Sequence, residues 1–598
     1  MSLFFPTRNR PLLFLLLVWL AAGSVGARET PFEESGGNKT PTYAETMTWC
    51  EDLAARSEIL SFGSFGTSPQ GRTLPVMVAD LDGRFEASEH QLREDRVVLL
   101  VEACIHAGES CGKDAGMLLL RDLAEDQALA RRLLARTTLV FVPIFNVDGH
   151  ERFGPHNRIN QNGPEEMGWR VTAQNLNLNR DFLKADTPEM QAWLGLFNSW
   201  DPDFFVDIHS TDGADYQYTL TYGLEVRGNM DPGLSAWTRD YRDAMEKAMP
   251  EDGHLIAPYV SFKDWHDPRS GLQAGVMGPR FSQGYAAIRN RPGLLIETHM
   301  LKPYPVRVDA TRAMLVNTLE WLVSEGPSLR RAVATADART ASASFRADPF
   351  PLTFRGTDEA EPFVFLGVEY EKVTSPVTGG DWFRYFSDQP VTMDLEFFQT
   401  VVPERTAQLP EAYLVPAEWT LIIDRLQWHG VAFSRLAEPT TLAVRTWRLE
   451  DPTWRQRSYE GHHPVEFSST EIKETRAFPA GSVLVDMNQP LARVVAHLLE
   501  PAGPDALVRW DYLDAIFERV EYVESYVIED MIAVMVQEDP GLLEKLAAKK
   551  AADPRFAANP WAIRTWFYQQ TPYYDARVGI YPVGCLDDRE VVKNLRFQ

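Results

Sequence analysis

Cysteine is scarce in this sequence: Cys50, Cys104, Cys111 and Cys585 are the only four in 598 residues. That excludes a disulfide-built scaffold and leaves the fold to a hydrophobic core. Cys104 and Cys111 are the closest pair, and their spacing is compatible with a bridge or with two buried free thiols. Positive charge is also short. Against 84 Asp and Glu stand 59 Lys and Arg, a net charge of −25, which repels nucleic acid and anionic lipid at a distance. After the first 22 residues no apolar run is long enough to span a bilayer. There is no internal repeat and no low-complexity segment. A Gly-rich phosphate loop, a Gly-x-Ser-x-Gly elbow and a His-Glu-x-x-His helix are all missing, so nothing points to phosphate binding or a serine nucleophile.

What is present reads as a globular chain, 44% hydrophobic and 24% charged. Its length suggests about two to four domains. Residues 1–27 have the order of a secretory signal: Arg8 and Arg10, an apolar run at 12–22, then small residues at Val25-Gly26-Ala27. The run is short for a membrane anchor. Its removal takes away two arginines and makes the chain more acidic still. The expectation is an exported protein, periplasmic or extracellular, with no stable membrane span after cleavage and no nucleic-acid partner.

Strand-like runs then alternate with helical patterns. Residues 74–81, 97–105, 138–145, 204–208 and 293–296 read as strands, and 112–123, 187–200 and 307–322 as helices. Thr187 followed by Pro188 is a helix start. Such alternation predicts an α/β domain over residues 43–335, with a mixed, mostly parallel sheet flanked by helices. Residues 335–347 are small and polar and read as a linker. A β-rich accessory region follows at 348–485, with strand-like runs at 363–368, 391–397, 419–423 and 441–447. Residues 486–598 read as mostly helical.

Active sites on such sheets lie at the carboxyl ends of strands. His106-Ala107-Gly108-Glu109 closes the run 97–105, and a histidine and a carboxylate three residues apart can share one metal ion. Phe205-Val206-Asp207-Ile208-His209-Ser210 ends in a second histidine. Leu294-Leu295-Ile296-Glu297 ends in a carboxylate that is costly among aliphatics unless it has a partner or a task. Between them lie Gly168-Trp169-Arg170 and Gln174-Asn175-Leu176-Asn177-Leu178-Asn179-Arg180.

In order and character this set resembles the zinc metallocarboxypeptidases of the carboxypeptidase A type, and the extension beyond 335 resembles that of a divergent bacterial branch. The loop Gly66-Thr67-Ser68-Pro69-Gln70-Gly71-Arg72 matches a further family element, and the resemblance covers roughly residues 45–325. It implies a carboxypeptidase-like fold and one Zn²⁺ per chain, held by His106, Glu109 and His209, with a fourth position left for water. It implies that Glu297 is the general base, that Arg170 polarises the scissile carbonyl, and that Asn179 and Arg180 grip the substrate's terminal carboxylate. The expected function is an exported zinc exopeptidase acting on C-terminal peptide bonds. An amidase of cell-wall peptides and a catalytically dead secreted peptide-binding protein are the alternatives.

The chain departs from the family at two places. Where the family has an aspartate orienting the first zinc histidine, this sequence has Asn177. For the family's mobile tyrosine the nearest candidate is Tyr285, placed here at the substrate, although it lies close to Glu297 and a packed core tyrosine is the competing reading. His299 shares strand parity with Glu297 and would tune the site or serve the core. Tyr459-Glu460-Gly461-His462-His463 would hold a metal or lie idle on a polar loop. Trp382, Trp419, Trp428, Trp447 and Trp454 would bind glycan or peptide, or pack a core.

Overall fold

The computed structural model describes residues 29–90, 96–211 and 213–598; the leader at 1–27 lies outside them. Strands β1 (Leu60–Thr67), β2 (Thr73–Ala79), β3 (Val97–Ala103), β4 (Thr137–Val142), β5 (Phe204–Ser210), β6 (Leu220–Leu224), β7 (Ile256–Pro258) and β8 (Gly293–Thr298) form one eight-stranded sheet. Its order is β1-β2-β4-β3-β5-β8-β6-β7. The four central strands, β4, β3, β5 and β8, run parallel, and antiparallel pairs flank them. The expected α/β class with a mixed, mostly parallel sheet is therefore present.

The central strands are near-continuous apolar runs because both faces are covered. Val97, Leu99 and Val101 join a core under the helices Cys111–Glu125, Pro232–Glu251 and Tyr304–Thr340, while Val98 and Leu100 join a second core. That second core holds the helix Pro188–Trp200, whose start is fixed by Thr187 accepting from the Met190 N–H at 3.1 Å, with Pro188 at its first position. All five predicted strands exist, with ends displaced by three residues or fewer.

Three expectations beyond residue 300 need correction. The stretch 335–347 is not a linker: the helix Tyr304–Thr340 runs through its first half, and Ala336, Thr340 and Arg346 are buried. Small residues there allow close packing rather than looseness. Residues 419–423 are not a strand but part of the helix Thr420–Trp428, whose Ile422 and Leu426, four apart, face the second core. Five residues are too few to separate a period of 2 from one of 3.6. The boundary at 485/486 is not a structural one. Strand Gly584–Leu586 lies between Ala412–Val415 and Thr440–Trp454 in a six-stranded sheet.

Nor is the region beyond 348 a separate body. Tyr413, Val485, Leu498 and Cys585 share the second core with Val98, Trp193 and Phe205. A long hairpin, β9 (Glu361–Thr374) with β10 (Asp381–Phe398), packs Phe365, Met393 and Phe397 on Tyr216, Tyr218 and Phe262. All four cysteines are buried free thiols, so Cys104 and Cys111 are not bridged. Among the described residues no helix is long and apolar enough to cross a membrane.

Candidate active site

Sheet order brings the site together. β3, β5 and β8 are adjacent and parallel, so the loop after β3, the end of β5 and the end of β8 meet at one edge. His209 and Glu297 are register partners and so face the same side. The loop His106–Glu109 is drawn tight against the segment that carries Arg170. A Cβ on Gly108 would lie 2.7 Å from the Gly168 carbonyl oxygen, and one on Gly168 would lie 2.8 Å from that of Ala107. Only glycine permits that approach at either position.

His106, Glu109 and His209 are buried, with ligand atoms within 4.8 Å of one another. His106 Nδ1 lies 3.2 Å from Glu109 Oε1, and His209 Nδ1 lies 3.1 Å from Glu109 Oε2 and 3.1 Å from His106 Nδ1. Each imidazole's other nitrogen already has an acceptor. His106 Nε2 donates to Asn177 Oδ1 at 3.1 Å, and His209 Nε2 to Asp207 Oδ2 at 2.6 Å. In the neutral tautomers this leaves two lone pairs and a carboxylate facing one point, which is unfavourable unless a cation lies between them. The donor set, two imidazoles and a carboxylate, is that of a catalytic zinc site. Zinc therefore fits these residues.

The electrostatics agree. Burial pushes His106 down to about 4 despite the neighbouring Glu109. Burial opposes charge on His209 too, but Asp207 and Glu109 outweigh it and hold its pKa above the usual value. Glu109 is held well below the carboxylate range, because His106 and Arg158 overcome its burial. Two carboxylates flanking His209 demand positive charge at the centre of the cluster.

The remaining predicted residues line one cavity of about 820 Å³ with the metal cluster: Glu297, Arg170, Asn179 and Arg180 all do so. Arg170 reaches Glu109 Oε1 at 3.4 Å. Asn179 Nδ2 lies 3.5 Å from His209 Nε2, and its side-chain Oδ1 accepts from the Ser282 N–H at 3.4 Å. Arg180 is steadied by the Asn179 carbonyl at 2.5 Å and sits over the Phe281 ring at 4.4 Å. The stretch 222–283 supplies further walls, including Tyr222, Glu225, Arg227, Met277 and Gln283.

Tyr285 does not belong to this cavity. It is fully buried, its ring lies among Phe182, Trp193 and Phe197, and its hydroxyl bonds His429 Nδ1 at 2.8 Å and Arg289 at 3.0 Å. Its placement at the substrate, as the nearest candidate for the family's mobile tyrosine, is corrected: the helix Ser282–Ile288 turns it toward the second core, the competing reading. Tyr285→Phe is therefore expected to lower stability by about 1–3 kcal/mol, by stranding buried partners, and to leave kcat/KM within about twofold. Denaturant unfolding beside kinetics checks this; lost turnover at unchanged stability would return Tyr285 to the site. His299 is likewise structural, bonded to Asp215 at 2.9 Å and packed against the Tyr216 ring at 4.2 Å.

Several contributors were not foreseen. Asp207 orients His209 from two positions earlier on the same strand face, and the spacing Asp-x-His was the available signal. Glu102, its register partner on β3, is pushed well above the carboxylate range by burial and by Asp207. Arg158 holds Glu109 Oε1 at 2.8 Å, and the Ser210 N–H holds Oε2 at 3.0 Å. Tyr259, 39% exposed, lines the cavity. So do Phe363, Phe397, Phe398 and Gln399 from the C-terminal region. Gln399 bonds Arg227, and Lys263 lies 4.0 Å over Phe398. No local pattern signals a wall supplied from more than a hundred residues away.

Comparison with known proteins accords with this geometry. Residues 46–249 match the family described as zinc carboxypeptidase. "Carboxypeptidase 2" of Trichophyton rubrum is 23% identical over 488 residues, covering 79% of this chain and 84% of the relative. Its namesake in Trichophyton equinum is 22% identical over 493 residues, covering 79% and 84%. Matches of that extent cannot be contained within residues 1–335, so the similarity runs on into the C-terminal region. Among solved structures, a metallo-carboxypeptidase from Burkholderia cenocepacia is similar at 17% identity and a TM-score of 0.35, over 47% of this chain and 68% of that one. A Pseudomonas aeruginosa metallo-carboxypeptidase in complex with (2-guanidinoethylmercapto)succinic acid gives 18% and 0.36, over 48% and 70%. The class is thus a peptide hydrolase of the metallopeptidase kind. Within it, residues 46–249 are the part of the chain that matches the zinc carboxypeptidase family.

Proposed function

We propose that this protein is an exported zinc exopeptidase that removes residues from the carboxyl ends of peptides. The observation that carries the reading is the meeting, in one cavity, of the cluster His106–Glu109–His209, the carboxylate of Glu297 and the pair Asn179–Arg180. His106, Glu109 and His209 would hold one zinc ion. When bound, zinc supplies Lewis acidity and a water of lowered pKa.

The chain's own groups divide the remaining work. Glu297 takes a proton from the attacking water as its oxygen bonds to the carbonyl carbon. It delivers that proton to the amide nitrogen as the C–N bond breaks, and the remaining water proton passes from the new carboxyl group to the amine, so the products are a carboxylate and an ammonium group. Arg170 stabilises the negative charge that develops on the carbonyl oxygen. Asn179 and the guanidinium of Arg180 hold the terminal carboxylate, which an internal bond does not offer at that point. Residues within 356–363 and 397–399 contribute walls to the cavity. The basic and apolar leader supports export, and N-terminal sequencing of the secreted protein tests it.

Amidation of a good substrate's C-terminus tests the exopeptidase reading. Wild type is expected to lose about two orders of magnitude or more in kcat/KM, in line with about 2–5 kcal/mol for an unpaired charge partner. Arg180→Ala should cleave the free acid poorly and lose most of the preference for acid over amide. Equal cleavage of both forms by wild type would defeat the reading, leaving an amidase or an open-cleft endopeptidase.

A further inference from the structure

The turn Tyr459-Glu460-Gly461-His462-His463 holds no metal cluster; its side chains are engaged elsewhere. Tyr459 and His462 pair across a two-residue loop, with N–H to carbonyl bonds of 2.8 and 3.1 Å. Glu460 and Gly461 both have positive φ, +52° and +84°. Two central residues at positive φ mark a type I′ turn, which favours Asn, Asp or Gly at both positions. A glutamate is a poor occupant of the first, and turn formation does not explain it.

Its contact does. Glu460 Oε2 accepts from the Asn177 N–H at 2.9 Å. Asn177 Oδ1 in turn accepts from His106 Nε2 at 3.1 Å and from the Asn179 N–H at 3.0 Å. A Cβ on Gly461 would lie 3.3 Å from Leu176 Cδ2, so the turn is seated directly on this loop. Two residues on, His462 bridges Asp186 Oδ2 at 2.8 Å and Asp511 Oδ1 at 2.6 Å. Asp186 also binds Lys184 at 2.7 Å and Arg425 at 2.9 Å. The Tyr459 ring stacks on Trp510 at 5.8 Å, which anchors the turn from behind.

We infer that this turn is a positioning element for the substrate-binding loop: Glu460 fixes Asn177, and with it His106 and the Asn179–Arg180 pair, while His462 pins the loop's far end at Asp186. The C-terminal region thus completes the site as well as walling it. A neutral asparagine orients His106 where a carboxylate would be a stronger acceptor, and Glu460 compensates by fixing that asparagine's backbone. Glu460 touches neither metal nor substrate, and the inference rests on the zinc-site reading above.

Glu460→Gly and Glu460→Gln in the full-length protein test it. Glycine suits positive φ, so the first variant keeps or improves the turn while removing the acceptor; the second keeps an acceptor oxygen. Expected for Glu460→Gly are an unchanged or higher Tm and about tenfold faster amide exchange of the segment 174–181 in metal-free protein. Its zinc affinity should be weaker by about tenfold, at the low end of what loss of an orienting partner costs. KM for a free-acid substrate should rise with it. Glu460→Gln should stay within about threefold of wild type. Wild-type exchange, zinc affinity and KM in Glu460→Gly, with zinc bound normally by wild type, would overturn the inference alone. A wild type that binds no zinc would overturn the metal-site reading and this inference together.

Discussion

Glu297→Gln is expected to retain zinc and to bind substrate, yet to lose about 10²–10⁴-fold in kcat, the usual contribution of a positioned general base. The substitution keeps the shape of the side chain and removes only its capacity to accept a proton. Glu297 is nine-tenths buried on β8, in register with His209 on one side and with Thr221 on the other. Backbone pairing on both flanks therefore holds it in place whatever its charge. KM should change little, because Asn179 and Arg180 hold the terminal carboxylate independently. Steady-state kinetics beside metal analysis checks this; turnover near wild type would make Glu297 structural and put the base elsewhere.

His106→Ala and His209→Ala are each expected to abolish stoichiometric zinc. Two remaining ligands rarely hold a catalytic ion, and the carboxylate left behind already has Arg158 at 2.8 Å as an alternative partner. Asp207→Asn should be milder, weakening zinc by about 10–100-fold as other orienting partners do. It keeps the histidine and removes only the carboxylate 2.6 Å from His209 Nε2. The measurement is zinc content after dialysis against graded chelator. Full occupancy in both alanine variants would end the metal assignment, and an Asp207→Asn loss as deep as that of His209→Ala would give Asp207 a larger share than orientation.

The legible part of the site was the part written locally. His106 and Glu109 sit in one tetrapeptide, and His209 and Glu297 each end an apolar run, so strand patterning alone placed them at one sheet edge. Asn179 and Arg180 were legible as a pair within a polar loop. Tyr285 was misplaced because a match to the family's tyrosine by position in sequence says nothing about which face of a short helix the side chain occupies. Residues 419–423 were misread because apolar runs that short fit either period. The break at 485/486 was misread because a three-residue strand, Gly584–Leu586, returns to the sheet from the far end of the chain.

By itself the sequence determined the α/β order of elements and the acidic character of the whole, which follow from period and composition and need no knowledge of distant contacts. The three candidate ligands and the base were identified through the resemblance of His106, Glu109, His209 and Glu297 to the zinc carboxypeptidase motifs. Only the tertiary structure decided that Tyr285 belongs to the core, with its hydroxyl bonded to His429. It alone decided that residues within 356–363 and 397–399 wall the cavity and that Glu460 reaches Asn177 across nearly three hundred positions. Each of these is a pairing between segments far apart in the chain. Such pairings are selected by packing and by the need to satisfy buried polar groups, and neither leaves a periodic trace in the residues concerned.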